Sequence, residues 1–385
     1  MIMIQIADKR ECCGCHACVQ KCPRQCISMQ EDCEGFLYPK IDVASCVECG
    51  LCEMVCPMLN VSESREPMEV CAVKSADDKV RMASSSGGLF TMLAEQTIAE
   101  GGAVFGAKFS EGCQMVLHSA AEDMDGVAAF RGSKYVQSII GDSYQQVERM
   151  LKAGRKVLFS ATPCQIAGLK RYLGKEYENL LTVDVVCHGV PSPLVWREYL
   201  KSIVQKGEKV LYVNMRDKRK GWSMFHIDVE TDKRRSYQWH RECIYMKGFL
   251  KNIYLRPSCY SCSINSGRSG SDITLGDFWG VANFHPEFMD EMGVGLSLAW
   301  SKQGVNIVRK TKCRVVKSNY DNAKEYNPCI ERSVTEPKLR GLFWEKFEQD
   351  GVAAIEKVCR RMRPNILSRI ILKLKTVLWH IIHRK

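Results

Sequence analysis

Eight cysteines near the amino end fall into two copies of one spacing. Cys12, Cys15, Cys18 and Cys22 recur as Cys46, Cys49, Cys52 and Cys56, each 34 residues further on, and prolines Pro23 and Pro57 follow the two runs. Each run reads C-x2-C-x2-C-x3-C-P, the spacing that bacterial ferredoxins use for a 4Fe-4S cluster. Three closely spaced thiolates wrap one corner of a cubane through a tight loop, and the fourth starts a short helix. In two-cluster ferredoxins that fourth thiolate crosses to the other cluster. The repeat therefore predicts one cluster on Cys12, Cys15, Cys18 and Cys56, and a second on Cys46, Cys49, Cys52 and Cys22. Zinc is the rival chemistry, but structural zinc sites take two separated ligand pairs rather than two triplets with a proline-marked fourth thiol. Cys13, Cys26 and Cys33 are read as packing residues.

Four later cysteines form a looser constellation. Cys164 and Cys187 stand at the carboxyl ends of predicted parallel strands, where ligands of open α/β sheets gather. Cys259 and Cys262 form a C-x2-C pair. Together they are enough for a further 4Fe-4S cluster, a zinc site, or unrelated buried thiols. Two segments suit an anion. Ser84-Ser85-Ser86-Gly87-Gly88 precedes a strong helical pattern, so its backbone N–H groups, hydroxyls and helix dipole suit a phosphate, or simply cap the helix. Arg131-Gly132-Ser133-Lys134 sets two cations among small residues, either around a phosphate or a reduced ring, or as a solvated loop. His188, directly after Cys187, is a candidate proton donor or the anchor of a turn.

Around these residues the chain of 385 residues divides into pieces. Residues 1–60 are the two-cluster module, and 61–68, polar and aperiodic with Pro67, read as a linker. From 69 to 330 apolar runs at 70–74, 103–109, 156–160 and 180–187 alternate with helical patterns at 89–100, 144–153, 165–173 and 194–204. That alternation predicts an α/β domain with a mixed, largely parallel sheet after an α+β ferredoxin-like domain. Strands at 209–214, 225–230 and 272–276 suggest mixed sheets or an inserted hairpin. Residues 331–385 read as a helical carboxyl-terminal region.

Composition narrows the class. Apolar residues make up 45%, ample for a core. The start has no basic leader, so a secretory signal is not expected and the 21 cysteines are assigned to a reducing, cytoplasmic setting rather than to disulfides. Net charge is +11, yet residues 1–60 carry −3 and residues 357–385 alone carry +9, so no diffuse basic face for nucleic acid is expected. Ile366, Leu367, Ile370, Ile371, Leu374, Val377, Leu378, Ile381 and Ile382 recur at helical spacing with Arg369, Lys373 and His380 off the stripe. This tail is read either as a helix lying on anionic lipid at the inner face of the membrane or as one docked on protein.

The chain resembles the bacterial branch of the coenzyme F-420 hydrogenase/dehydrogenase beta-subunit family. The residues that carry the resemblance are Ser85-Ser86-Gly87-Gly88-Leu89-Phe90, Arg131-Gly132-Ser133-Lys134-Tyr135-Val136-Gln137-Ser138 and Thr162-Pro163-Cys164-Gln165-Ile166-Ala167-Gly168-Leu169. It continues through Val186-Cys187-His188-Gly189-Val190-Pro191-Ser192, Arg256-Pro257-Ser258-Cys259-Tyr260-Ser261-Cys262 and Asp272-Ile273-Thr274-Leu275-Gly276-Asp277-Phe278-Trp279-Gly280. It spans about residues 1–300. The resemblance implies a domain that binds FAD and its own iron–sulfur cluster. By it, Ser85, Ser86, Gly87, Gly88, Arg131, Ser133 and Lys134 become FAD candidates, and Cys164, Cys187, Cys259 and Cys262 ligands of a third 4Fe-4S cluster. Family members pass electrons to acceptors as different as F-420 and chlorophyll-type substrates. Similar bacterial chains occur in surface-polysaccharide gene clusters. The expected function is an iron–sulfur flavoprotein oxidoreductase with an unidentified electron donor or acceptor. The rival is a non-catalytic binding module, favoured by Lys218-Arg219-Lys220 and Lys233-Arg234-Arg235 with Tyr237 and Trp239.

Overall fold

Each cysteine run contains a short helix, Ala17–Lys21 in the first and Leu51–Met54 in the second, so the third cysteine lies on the helix and the fourth follows it rather than starting it. Both helices start from a left-handed residue, His16 and Gly50, which turns the chain sharply enough for three cysteines to share one loop. Between the runs, β1 (Ile27–Glu31) and β2 (Leu37–Ile41) form an antiparallel hairpin. A computed structural model describes residues 3–362, so the apolar stripe at 366–382 lies outside the described residues.

Twelve further strands follow: β3 (Glu69–Ser75), β4 (Ala103–Phe109), β5 (Val116–Ala121), β6 (Ser138–Ile139), β7 (Val157–Ser160), β8 (Leu180–Val185), β9 (Val210–Asp217), β10 (His226–Thr231), β11 (Arg235–Trp239), β12 (Ile273–Asp277), β13 (Gly295–Ala299) and β14 (Cys313–Ser318). Nine of them make one sheet in the order β14-β3-β13-β12-β8-β7-β4-β5-β6. The run β12-β8-β7-β4 is parallel, and Val104, Phe105, Val157, Leu158 and Phe159 along it are all but fully buried, as a sheet covered on both faces requires. The sheet is not largely parallel, however. Four of its junctions are parallel and four antiparallel, because β5, β13 and β14, which the periodicity reading did not separate from loops, return against their neighbours.

The expected insertion is a three-stranded antiparallel sheet, β11-β10-β9. It shares an aromatic core, with Trp196, Tyr199, Tyr245, Tyr254 and Phe343, with the helices Pro193–Ile203, Ile244–Leu250, Arg340–Asp350 and Ala353–Arg361. Among the described residues, no helix is long and apolar enough to cross a membrane.

The two-run module is packed into the larger sheet domain. Cys13, Cys15, Ala17 and Val55 belong to the same apolar cluster as Phe105, Tyr144, Phe159 and Ile166. A Cβ on Gly168, in the helix Pro163–Leu173, would stand 2.9 Å from the Cys15 Cβ, so glycine allows the first cysteine loop to seat there. Gln20 Oε1 accepts from the N–H groups of Tyr144 and Gln145, satisfying the first turn of the helix Ser143–Lys152. Residues of the segment 61–68 are likewise held: Arg65 Nε donates to the Gly267 carbonyl at 2.9 Å and its Nη2 to that of Ser271 at 2.9 Å.

Candidate cofactor site

The turns after two central strands and a short helical turn converge on one cavity. Cys164 opens the helix after β7, Cys187 follows β8, and Cys259 and Cys262 lie on the turn Pro257–Ser261 and just after it. All four line the same cavity with Cys13, Arg256 and Cys329. Burial pushes the Cys187 thiol well up, and the nearby thiols of Cys259, Cys164 and Cys262 push it further. Cys259 is pushed up to about 12 and Cys262 to about 11 by burial and their neighbours. Four mutually close, buried thiols form a soft donor set that only a positively charged centre keeps ionised. The described residues hold no group of three His, Cys, Asp or Glu side chains gathered for a single metal ion. The thiols surround a space instead, which suits a cluster rather than one zinc ion.

The two runs near the amino end are brought together in the crossed arrangement. Cys18 lies near Cys12 and Cys56, and Cys15 near Cys18 and Cys56. Cys22, Cys46, Cys49 and Cys52 line a separate small cavity with Pro23 and Gly50. Cys15, Cys18, Cys52 and Cys56 are 7–8% exposed, Cys12, Cys22 and Cys46 are half-buried, and Cys49 is exposed beside Val43 and Val47, which are 60% and 59% exposed. Cys13 and Cys26, read as packing residues, both lie among these thiols. Cys13 packs against Cys15 and Cys164 together, and Cys26 Sγ is 3.4 Å from Cys22 Sγ.

Beside the four-thiol cavity lies a larger one of about 850 Å³, which Cys187 and His188 also line. Cofactor and ligand sites fall in the range of about 300–1,000 Å³. The two anion-suited segments meet at its wall: Ser85 Oγ and Ser133 Oγ are 2.8 Å apart. Gly88, at φ +91°, leads into the helix Leu89–Ala99 with no side chain capping its first turn, so those N–H groups remain for a ligand. Arg131 Nε, His118 Nδ1 and Arg216 Nε are buried without a partner, and all three residues line this cavity. Buried polar atoms are rarely left so. The orphaned Nε donors of Arg131 and Arg216, the His118 Nδ1 acceptor, the uncapped turn and the volume together fit a phosphate-bearing planar cofactor.

Lys134 also lines the cavity, but its Nζ donates to the carbonyls of Phe130, Arg131 and Gly132 at 3.2, 2.9 and 3.2 Å. Its three donors shape the loop, and burial pushes the ammonium down to about 7. Lys218 does the same for the serine–glycine turn, donating to the carbonyls of Arg81, Ser86 and Met292 at 2.8, 3.0 and 2.6 Å. Within the basic run Lys218-Arg219-Lys220, Lys218 is buried while Arg219 and Lys220 are exposed, as are Lys233, Arg234 and Arg235. Arg219 pairs with Asp217 and Asp228, Arg234 with Glu208, and Arg235 with Asp228.

His188 stands where the two cavities join. Its Nε2 lies 2.6 Å from Asn252 Oδ1, which accepts, leaving the Nδ1 lone pair toward Cys329 Sγ at 3.9 Å. Burial pushes this imidazole down. The ring is thus both anchored and open to a ligand. Cys329 lines both cavities and carries no sequence signal, since it belongs to no spaced set.

His118 gives a pH test of this wall. Burial pushes it down to about 4, with His16 and Lys134 as further cations against its charged form and the Ser160 carbonyl favouring it. The unfolded chain then binds the extra proton between about pH 4 and 6.5, so stability rises with pH across that window. His118→Gln should narrow the acid-side fall in unfolding free energy by up to about 1.4 kcal/mol per pH unit. Equal slopes for both proteins from pH 4 to 7 would remove His118 from the neutral wall.

Residues 154–320 match the family model for the carboxyl-terminal part of the beta subunit of coenzyme F420 hydrogenase/dehydrogenase. Over that stretch the chain is similar to those beta subunits. A curated relative, the coenzyme F420-dependent sulfite reductase of Methanocaldococcus jannaschii, is 23% identical over 357 residues, covering 88% of this chain. The chain spans about half of that relative's length, 53%. A chain of the F420-reducing [NiFe] hydrogenase complex from Methanosarcina barkeri overlays with a TM-score of 0.44 at 15% identity, covering 77% of this chain and 92% of that one. The beta-subunit match encloses Cys164, Cys187, Cys259 and Cys262.

Proposed function

We propose that this protein is an iron–sulfur flavoprotein oxidoreductase, with two 4Fe-4S clusters on the amino-terminal runs, a third on Cys164, Cys187, Cys259 and Cys262, and FAD in the large cavity. A flavin exchanges electrons in pairs or singly and a cubane singly, which is the chemistry these groups supply. The observation that carries the reading is the continuous succession of thiol sets. The outer set, which reaches solvent at Cys49, adjoins the inner set around Cys15, Cys13 joins that set to Cys164, and Cys187 borders the large cavity. Ser85, Ser133 and the turn before the helix Leu89–Ala99 would bind the diphosphate, with Arg131 alongside. Lys134 and Lys218 hold those two loops in shape, and His188 closes the junction to the four thiols.

The acceptor is a matter of what shares the cavity with the cofactor. The relatives' names make coenzyme F420 the first compound to test, and the bacterial resemblance makes a surface-polysaccharide intermediate the second. Protein purified without air is expected to contain about twelve irons, three four-iron cubanes, and one flavin per chain. Iron near eight with flavin absent would reduce the reading to the ferredoxin module alone.

A further inference from the structure

Arg256 is a buried cation that this relay leaves unused. It is 0% exposed. Its Nε donates to the Cys12 carbonyl at 2.7 Å, its Nη1 to Gln137 Oε1 at 3.0 Å, and its Nη2 to the Leu37 carbonyl at 2.9 Å while lying 3.5 Å from Cys12 Sγ. The rings of Tyr38 and Phe36 stand 4.2 and 5.4 Å from the guanidinium. Gln137 completes the bracket, its Nε2 donating to the Cys13 carbonyl at 3.0 Å. Gly14, at φ +69°, leaves the space, since a Cβ there would sit 2.8 Å from Arg256 Nη1.

Carbonyls and rings satisfy the donors of a guanidinium but bring no full negative charge. A cation removed from water needs an anion nearby or it is strongly destabilising. Among the described residues no carboxylate forms an ion pair with Arg256. The ionisable groups around it are the thiols of Cys12, Cys13, Cys164 and Cys259, the Tyr38 phenol and the His16 imidazole, and none of these is a carboxylate. Cys12 belongs to the inner amino-terminal set, and Cys259 to the four-thiol set of the sheet domain. The missing anion is therefore what those two thiols hold when ionised and ligating.

We infer that Arg256 is a shared counter-ion of the inner amino-terminal cluster and the sheet domain's own cluster, a positioning residue that fixes the first cysteine loop on the domain and raises both reduction potentials. This rests on the proposed presence of those clusters. The sign follows from Coulomb's law: each added electron makes a cluster more negative, and a fixed cation favours that state. The outer set of Cys22, Cys46, Cys49 and Cys52, which reaches solvent at Cys49, makes no contact with Arg256 among those described and serves as the internal reference.

The test is a potentiometric titration of the full chain, prepared without air and followed by electron paramagnetic resonance. Wild-type protein comes first: about twelve irons and three separable potentials uphold the cluster reading, and about eight irons refute that reading before any variant is made. Arg256→Gln should lower two of the three potentials by at least a tenfold change in the one-electron equilibrium, about 59 mV, and leave the third in place. Arg256→Lys should retain most of the wild-type values. Gln137→Glu leaves the guanidinium but sets a carboxylate against its Nη1, so it should lower the same two potentials. It decides the matter if Arg256→Gln does not fold. Unmoved potentials, or three that shift together, would overturn the counter-ion.

Discussion

Cys259→Ala protein, prepared without air, is expected to carry about eight irons in place of about twelve, one four-iron cubane fewer. Its two amino-terminal clusters should keep their spectra. The thiol sits in the wall shared with Cys164, Cys187 and Cys262, and the Val190 N–H reaches its Sγ at 3.4 Å, a contact that suits a thiolate better than a thiol. Alanine leaves three thiols for four corners. Flavin reduction from an electron donor acting at the outer cysteine set should then fall by more than about 100-fold, as for a required member of a unit that acts as a whole. Direct chemical reduction of the flavin should persist, which separates a broken path from a lost cofactor. Cys113→Ala is the control, because that buried thiol packs in the aromatic core away from the four-thiol cavity. Full iron content in Cys259→Ala would sink the ligand assignment.

The second large effect is expected at Gly87. A Cβ there would overlap the Val73 carbonyl oxygen and lie 2.7 Å from the Gly295 backbone nitrogen. Both are main-chain atoms of the β3–β13 pair, where Val73 and Gly295 stand opposite each other, so no side-chain rotation relieves the clash. The strands or the turn must move. Gly87→Ala should cost about 3 kcal/mol or more, the upper range for forced overpacking, and the displaced serine–glycine turn should lose most of its flavin. Gly341→Ala meets nothing within 4 Å in the helix Arg340–Asp350 and should be neutral or slightly stabilising. Thermal midpoint and flavin stoichiometry read both outcomes. Normal flavin content in a Gly87→Ala protein would detach that turn from the cofactor.

Some of this molecule was legible because its rules are local. Ligation of a cubane is a short-range problem, and closing a loop of two or three residues imposes its spacing on the sequence. The crossed grouping of Cys22 and Cys56 could thus be stated before any coordinates; in the structure Cys22 lines one cavity with Cys46, Cys49 and Cys52, and Cys56 lies near both Cys12 and Cys52. The helices Leu89–Ala99, Ser143–Lys152, Pro163–Leu173 and Pro193–Ile203 fall within a residue or two of the periodic segments, because an amphipathic period is also local. Strand direction was not legible. Whether β13 runs with or against β12 depends on the course of the intervening chain, and alternation looks the same either way.

What the sequence by itself determined is the inventory: two ferredoxin runs, four further thiols, two anion-suited turns and an α/β scaffold. Only the tertiary structure decided how they meet. Lys218 looked like part of a basic surface run and is a buried pin for the serine–glycine turn. Lys134 looked like a cofactor cation, yet its donors are turned onto its own loop. Cys13 looked like filler and bridges two thiol sets. Arg256 reaches Cys12 across 244 residues of chain. No periodicity encodes such a pairing, because a buried charge is matched by whatever the fold brings beside it and chain distance leaves no trace in that match.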